Sequence, residues 1–212
     1  MGLWDKVENI FPERGKQEQQ DVVEDIIVAE NIRPKSVLAH IDEIPWPIFF
    51  SERLPFSKVY GFTIEGCGNP DDFITQYPTK PVPTELEMDN YEDLDLLLKT
   101  YRTDLFFASS ALDYGNWLQG RNMAMTLADN EVDWVLFIHD VLIKDSKLKL
   151  GNISGFTMFR QVLNERGYMI KEYTNHLDPI ALQYYLAIAP KRIDQPILER
   201  TRRNRILTPS FA

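Results

Sequence analysis

The chain contains a single cysteine, Cys67, and only three histidines in 212 residues. One cysteine excludes an internal disulfide and a zinc site with several cysteine ligands. No stretch reaches the ~18 consecutive apolar residues of a membrane-spanning helix. Charged residues interrupt the first ten positions, which do not match a signal peptide. These absences favour a cytoplasmic protein without a membrane span.

Several catalytic and phosphate-binding motifs are also missing. The sequence has no Gly-rich loop followed by Lys and Ser or Thr, no Gly-x-Ser-x-Gly motif and no helix with paired histidines. Gly66 and Gly68 make only a fragment of a dinucleotide-binding fingerprint. The net charge of −9 argues against general nucleic-acid binding, because neutralising phosphates requires clustered Lys and Arg.

The charge is unevenly distributed along the chain. One acidic run consists of Glu85, Glu87, Asp89, Glu92, Asp93 and Asp95. The end of the chain is basic and contains Lys191, Arg192, Arg200, Arg202, Arg203 and Arg205. Solvated surfaces are the simplest interpretation of both segments. The acidic run or the N-terminal helices could instead bind a protein partner, and the basic tail a phosphate-bearing ligand.

The composition is that of a globular protein, with 44% hydrophobic and 12% aromatic residues. Apolar periodicity predicts helices over residues 16–31, 91–101, 114–127 and 154–166. It predicts strands over 36–41, 58–64, 104–109, 134–138 and 168–173, whereas 182–188 fits either type. Prolines predict irregular structure over 42–57 and a long exposed loop over 77–90.

Alternating strands and helices predict an α/β fold with a mostly parallel central sheet and helices on both faces. The run Trp134 to Ile138 is continuously apolar, as expected for a central strand buried on both faces. We divide the chain into a helical N-terminal extension (1–33), an α/β domain (34–190) and a basic C-terminal tail (191–212). Ligands of such sheets bind beyond the carboxyl ends of the strands, where Glu65 and His139-Asp140 fall.

The segment from Gly120 to Asp145, GRNMAMTLADNEVDWVLFIHDVLIKD, resembles the middle of inverting nucleotide-sugar glycosyltransferases with the GT-A fold. In that family an Arg-Asn pair opens a helix, and acidic residues at the end of a buried strand bind a divalent metal. Arg121-Asn122 and His139-Asp140 occupy the corresponding positions. The chain departs from the family in having one acid, Asp140, where the metal motif has two.

The resemblance implies a GT-A, Rossmann-like fold and transfer of a sugar from a nucleotide-diphosphate sugar to a hydroxyl acceptor. It implies that Asp140 and His139 bind Mn²⁺ or Mg²⁺, which would neutralise the diphosphate leaving group. Glu65, Arg121 and Asn122 would bind the nucleotide sugar. Asp178 would be the catalytic base for the acceptor hydroxyl.

Each of these residues also has a structural interpretation. Asp178 before Pro179 is typical of a helix N-cap. His139 fits a hydrogen-bonded structural residue at a strand end, and His40 fits a core or strand-end residue. Arg121-Asn122 fits a surface pair. A second hypothesis is therefore a non-catalytic acidic protein, such as an inhibitor, immunity factor or assembly component that binds a basic partner.

Overall fold

A computed structural model describes the chain over residues 12–41, 44, 46–64, 84–86, 91–109, 116–140, 154–174 and 182–193. These residues build one seven-stranded sheet with helices on both faces. The mostly parallel α/β architecture predicted from the sequence is confirmed. No helix within the described ranges is long and apolar enough to cross a membrane.

The sheet has the order β3-β2-β1-β4-β5-β7-β6. Strands β1 to β5 are parallel to one another, and β7 is antiparallel to both β5 and β6. Chain order therefore reverses between β1 and β4, as in Rossmann-type sheets. The strands are β1 (Ser36–His40), β2 (Lys58–Ile64), β3 (Thr84–Leu86), β4 (Leu105–Ser109), β5 (Trp134–Asp140), β6 (Met169–Thr174) and β7 (Leu182–Ile188).

Helices cover the two faces of the sheet in two groups. One face packs against α1 (Pro12–Ala29) and α2 (Trp46–Arg53). The other packs against α3 (Tyr91–Tyr101), α4 (Trp117–Asp129) and α5 (Gly155–Glu165). A short helix, α6 (Pro190–Ile193), follows β7. Apolar side chains of β5 point alternately to the two faces, so this strand is buried on both sides as predicted.

Two segments differ from the sequence-based prediction. Residues 46–53 form α2, although the prolines predicted irregular structure there. Pro47 lies in the first turn of the helix, where its missing N–H breaks no hydrogen bond. Residues 84–86 pair with β2 as a short edge strand inside the predicted loop. The ambiguous segment 182–188 is a strand, whose apolar residues alternate between the two faces.

Helices α4 and α5 approach each other closely at their N-terminal ends. A Cβ atom on Gly120 would lie 2.8 Å from the Cα of Gly155 and would overlap its carbonyl group. The residues that cap the two helices, Asn116 and Ser154, also form a β-bridge. Glycine at position 120 is therefore required for the helix contact that frames one edge of the sheet.

Candidate functional site

The carboxyl ends of the parallel strands form the edge at which ligands of such sheets bind. Polar residues stand at or near these ends although the strands are otherwise apolar. His40 is on β1, Thr63 on β2, Ser109 on β4 and His139 on β5, and all four are buried. β1 and β4 pair directly where the strand order reverses. This is the position at which a crevice for a ligand is expected.

His40 is the most unusual of these residues. Its ring is 1% exposed and lies 5.4 Å from the ring of Phe62. Burial lowers the pKa of His40 from 6.5 to about 4, and a weaker contact with the Ser109 main chain opposes the shift. Within the described ranges, no group makes a well-formed hydrogen bond to either ring nitrogen. A buried polar group without a partner costs about 1–3 kcal/mol, so this ring calls for a structural or functional explanation.

His139 belongs to a different environment on the same edge. Its buried ring stacks on Phe156, with 3.7 Å between ring centroids and an interplanar angle of 4°. The ring also forms one end of a cleft of about 710 Å³ between α5 and the strands β6 and β7. The other residues that line this cleft are Phe156, Thr157, Arg160, Gln161, Asn164, Ile170, Glu172, Gln183 and Tyr185.

The cleft combines an aromatic floor with polar walls. The Tyr185 ring stacks on Phe137 at 5.3 Å and contacts Phe156 at 5.2 Å. The Arg160 guanidinium lies 5.2 Å from the centroid of the Tyr185 ring. Burial raises the pKa of Tyr185; the negative charge of Glu172 raises it further, whereas Arg160 lowers it. The cleft therefore contains one cation and one carboxylate next to aromatic rings that are themselves buried.

The structure describes only some of the residues selected from the sequence. Glu65 and Asp178 lie outside the described residues. Arg121 and Asn122 lie on the second turn of α4, not at its first residue, and the Asn122 carbonyl accepts a hydrogen bond from Thr126. His139 and Asp140 are the last two residues of β5, whereas the sequence-based prediction ended this strand at Ile138 and placed them directly after it. That these positions line one functional site stays a prediction.

The predicted metal site is not formed by the described residues. Among them, no three His, Cys, Asp or Glu side chains are grouped so that they could hold a metal ion. The ring of His139 stacks flat against the ring of Phe156, as expected of a side chain that packs against its neighbours. The prediction that Asp140 and His139 provide a Mn²⁺ or Mg²⁺ centre has no support here, and the predicted metal cofactor is wrong.

Solved structures of other proteins have a similar fold. No family model matches the chain, and no curated protein matches it. The N-methyltransferase NodS from Bradyrhizobium japonicum WM9, in complex with S-adenosyl-L-homocysteine, superposes with a TM-score of 0.53 at 11% identity, covering 82% of this chain and 88% of NodS. An O-methyltransferase family protein from Burkholderia thailandensis gives 0.52 at 12% identity, covering 83% and 56%. The chain has a methyltransferase fold.

This result corrects the resemblance to GT-A glycosyltransferases. The structural neighbours are methyltransferases, so the predictions of sugar transfer and of a nucleotide sugar and hydroxyl acceptor as partners are wrong. The error has a physical origin, because a buried strand followed by polar residues is common to all parallel α/β sheets that bind ligands at their carboxyl edge. The segment from Gly120 to Asp145 contains that shared feature and little that separates one family from another.

No motif in the sequence predicts the cleft or the unusual environment of His40. Arg160, Glu172 and Tyr185 come from a helix and two strands that no short motif connects. The only available signal was Phe156 and Arg160 at a spacing of four, which places both on one side of a helix. His40 was assigned to the core, and its burial agrees with that assignment, but its unpaired ring nitrogens could not be foreseen.

Proposed function

We propose that the chain binds S-adenosylmethionine at the carboxyl edge of β1, β2 and β4 and transfers its methyl group to a small acceptor. The observation that supports this most directly is the reversal of strand order between β1 and β4, next to a connection after β1 that is acidic and not glycine-rich. Residues 41–45 of this connection are Ile-Asp-Glu-Ile-Pro.

The acidic connection discriminates between classes of nucleotide ligand. Dinucleotides and nucleoside diphosphates need glycines after the first strand so that backbone N–H groups can approach the pyrophosphate. Asp42 and Glu43 would repel such a group. S-adenosylmethionine has no phosphate and carries a sulfonium cation, which acidic residues attract. The net charge of −9 acts in the same direction.

Glu65 is the residue we assign to the nucleoside. It directly follows β2 in the sequence. An acidic residue after the second strand of a Rossmann-type unit accepts hydrogen bonds from ribose hydroxyls. We therefore keep the sequence-based prediction that Glu65 binds a nucleoside, but the nucleoside is now the adenosine of S-adenosylmethionine.

The proposed reaction needs positioning more than covalent catalysis. A lone pair of the acceptor attacks the methyl carbon, the carbon–sulfur bond breaks, and its electron pair returns to sulfur. The sulfonium becomes a neutral thioether, and an acceptor that carries a proton loses it. Holding donor and acceptor in line can supply several kcal/mol of the barrier reduction. NodS, whose fold this chain shares, has the product S-adenosyl-L-homocysteine bound.

The proposal is tested by isothermal titration calorimetry with S-adenosylmethionine and S-adenosyl-L-homocysteine. We expect saturable binding of both, with NAD⁺ and UDP plus Mn²⁺ giving no binding at the same concentrations. Absence of heat from either adenosyl compound up to millimolar concentration would exclude the proposed donor. Methyl transfer itself is measured with donor labelled in the methyl group. The lone Cys67 fits a reducing compartment, and we propose that the reaction takes place in the cytoplasm.

Two variants test whether the adenosyl compounds bind at the carboxyl edge. Glu65→Gln is expected to weaken adenosyl binding about tenfold, because a neutral amide makes weaker hydrogen bonds to hydroxyl groups than a carboxylate. Glu52→Gln removes the same charge from an exposed position on α2 and serves as the control. Equal affinities of the two variants would show that Glu65 does not contact the nucleoside.

A further inference from the structure

We propose that the end of the sheet at which β1, β2 and β4 begin binds the surface of a membrane rich in anionic lipids, and that Phe56 inserts between the lipid headgroups. One exposed aromatic residue and four exposed cations stand at this end. They are Arg33, Lys35, Phe56, Lys58 and Arg102, and we call them the basic corner. The basic corner lies at the opposite end of the strands from the carboxyl edge, so the inference does not depend on the proposed methyl donor.

Phe56 is the most exposed of the large apolar side chains that the structure describes, at 99%. It lies in the turn between α2 and β2, and hydrogen bonds on both sides of the ring fix this turn. The Ser57 main-chain N–H donates to the Leu54 carbonyl at 2.9 Å, and the Ser57 hydroxyl donates to the Pro34 carbonyl. The turn therefore presents an aromatic ring that packs against nothing, and its apolar surface would leave water on contact with a partner.

Hydrogen bonds also hold the segments of the basic corner side by side. The Lys58 N–H donates to the Lys35 carbonyl at 2.8 Å, and the Lys35 N–H donates to the Asp104 carboxylate at 2.7 Å. Arg33 and Arg102 each lie two residues before one of these contacts. Because β1 pairs with both β2 and β4, neighbouring stretches of main chain carry the four cations.

The cations of the basic corner are not neutralised by the described residues. All four side chains are exposed, and none forms an ion pair or a side-chain hydrogen bond with another residue that the structure describes. Of the nearby carboxylates, Glu30 is bound to Lys171 at 2.6 Å and Asp104 to a main-chain N–H. Glu52, near the end of α2, is exposed and offsets part of the charge. Positive charge remains in excess at this end.

A membrane surface fits this combination better than a folded acidic protein does. The chain as a whole carries a net charge of −9, but charges more than about 8 Å apart are largely screened at physiological ionic strength, so the basic corner governs close contact. Lys and Arg attract anionic headgroups, and aromatic rings are enriched at the headgroup level. A protruding ring needs a matching pocket in a folded partner, whereas a bilayer closes around it.

Co-sedimentation with vesicles tests the inference. We expect binding to vesicles of phosphatidylcholine and phosphatidylserine in equal parts, little binding to phosphatidylcholine alone, and weaker binding as sodium chloride is raised. Equal affinity for the two kinds of vesicle, or binding to neither, would overturn the inference. Tighter binding of polyglutamate or single-stranded DNA than of the phosphatidylserine vesicles would also overturn it, because the basic corner would then recognise an acidic polymer.

Matched variants locate the contact. Phe56→Gln is expected to weaken vesicle binding about tenfold, whereas Leu96→Gln removes another exposed apolar side chain, on α3, and should have no effect. The double variant Lys35→Gln/Lys58→Gln should weaken binding at least tenfold, and Arg160→Gln, on α5, is its charge control. All five side chains are exposed, so folding should be unchanged. If Phe56→Gln and Leu96→Gln bind vesicles equally well, Phe56 does not insert and the proposal fails.

Binding of S-adenosyl-L-homocysteine separates this inference from the proposed function. None of the variants should change that affinity, and vesicle-bound protein should retain it, because the carboxyl edge lies at the other end of the strands. Vesicle binding without adenosyl binding would reject the proposed function and leave the membrane contact standing. Adenosyl binding without vesicle binding would do the reverse.

Discussion

The two edges of the central sheet differ in which of their buried polar groups are paired within the described residues. At the amino edge, α1, α3, α4 and α5 each end before a strand in the same way. The residues with positive φ are Asn31, Arg102, Glu131 and Gly167. The next residue in each case donates a main-chain hydrogen bond of 3.0–3.2 Å to the carbonyl five positions earlier. This is the Schellman arrangement, which satisfies carbonyls at a helix end.

Ionic contacts reinforce the same edge. Buried Asp133, just before β5, is paired with Lys191 at 2.8 Å and with Arg192, whose Nε is 2.8 Å away. The main-chain N–H of Lys35 donates to the Asp104 carboxylate at 2.7 Å. The hydroxyls of Ser36 and Thr103 lack partners here, but each buried charge at this edge has one.

At the carboxyl edge the buried groups without a good hydrogen bond include an ionisable side chain. Among the residues that the structure describes, neither ring nitrogen of buried His40 has a well-formed hydrogen bond, and the Thr63 hydroxyl has no partner. The amino edge therefore neutralises its buried carboxylate within the fold, whereas the carboxyl edge keeps polar groups that a ligand could satisfy. Such a division is expected when the binding residues of a protein stand on a rigid scaffold.

The largest effect is expected from Gly120→Ala, which tests the frame of the carboxyl edge. Alanine favours helix by about 1 kcal/mol over glycine, yet the added Cβ would overlap the backbone of Gly155. Backbone cannot move aside as a side chain can, so α4 and α5 must separate. We expect a net loss of roughly 3 kcal/mol or more in the free energy of unfolding, measured with urea.

Arg121→Ala is the control for this substitution. Arg121 is exposed on the next position of the same helix, and its truncation should change stability by less than about 0.5 kcal/mol. A stable Gly120→Ala protein would mean that the two helices can separate without cost, and the carboxyl edge would then be looser than described.

The second test uses the pH dependence of stability at His40. Because the pKa is about 4 in the folded chain and about 6.5 when unfolded, the unfolded state binds a proton between these values that the folded state does not. This contribution to stability is complete above pH 6.5 and is lost as the pH falls to about 4, amounting to about 3 kcal/mol. His40→Phe should reduce the acid sensitivity by that amount.

The same variant also addresses function. Phenylalanine removes two unpaired nitrogens from the core, so stability at pH 7 should be equal or higher. If the ring supports the proposed nucleoside site, adenosyl binding should weaken at the same time. Parallel stability curves for the two proteins between pH 4 and 6.5 would contradict the assigned burial of an unpaired histidine.

The sequence predicts the elements better than it predicts the site. Apolar periodicity identified most helices and strands because burial on a face leaves a regular trace in one segment, as in Trp134 to Ile138. The ends of the helices could not be predicted in this way, because Asn31, Arg102 and Glu131 adopt positive φ although they are not glycine. The cleft could not be predicted for another reason: Tyr185 joins Arg160 and Glu172 in its lining only because β7 pairs with β6. The spacing of residues within one segment does not indicate which distant segments will pair.

The third and smallest effect concerns the ionic contacts of the amino edge. Asp133→Asn keeps the shape of the side chain but removes its charge, leaving Lys191 and Arg192 without their partner. Breaking a fully buried pair costs about 3–5 kcal/mol, but these two cations are partly exposed, so we expect a loss of about 2 kcal/mol in urea unfolding.

Asp129→Asn supplies the matched comparison, because Asp129 forms a pair of similar length with Arg166 in which both side chains are about half exposed. Its loss should cost less than about 0.5 kcal/mol, since solvent screens an exposed pair. Affinity for S-adenosyl-L-homocysteine should be unchanged in both variants, because both acids are remote from the carboxyl edge. If Asp133→Asn weakened that affinity while Asp129→Asn did not, the two edges would be coupled through β5, and stability and binding could no longer be assigned to opposite ends of the sheet.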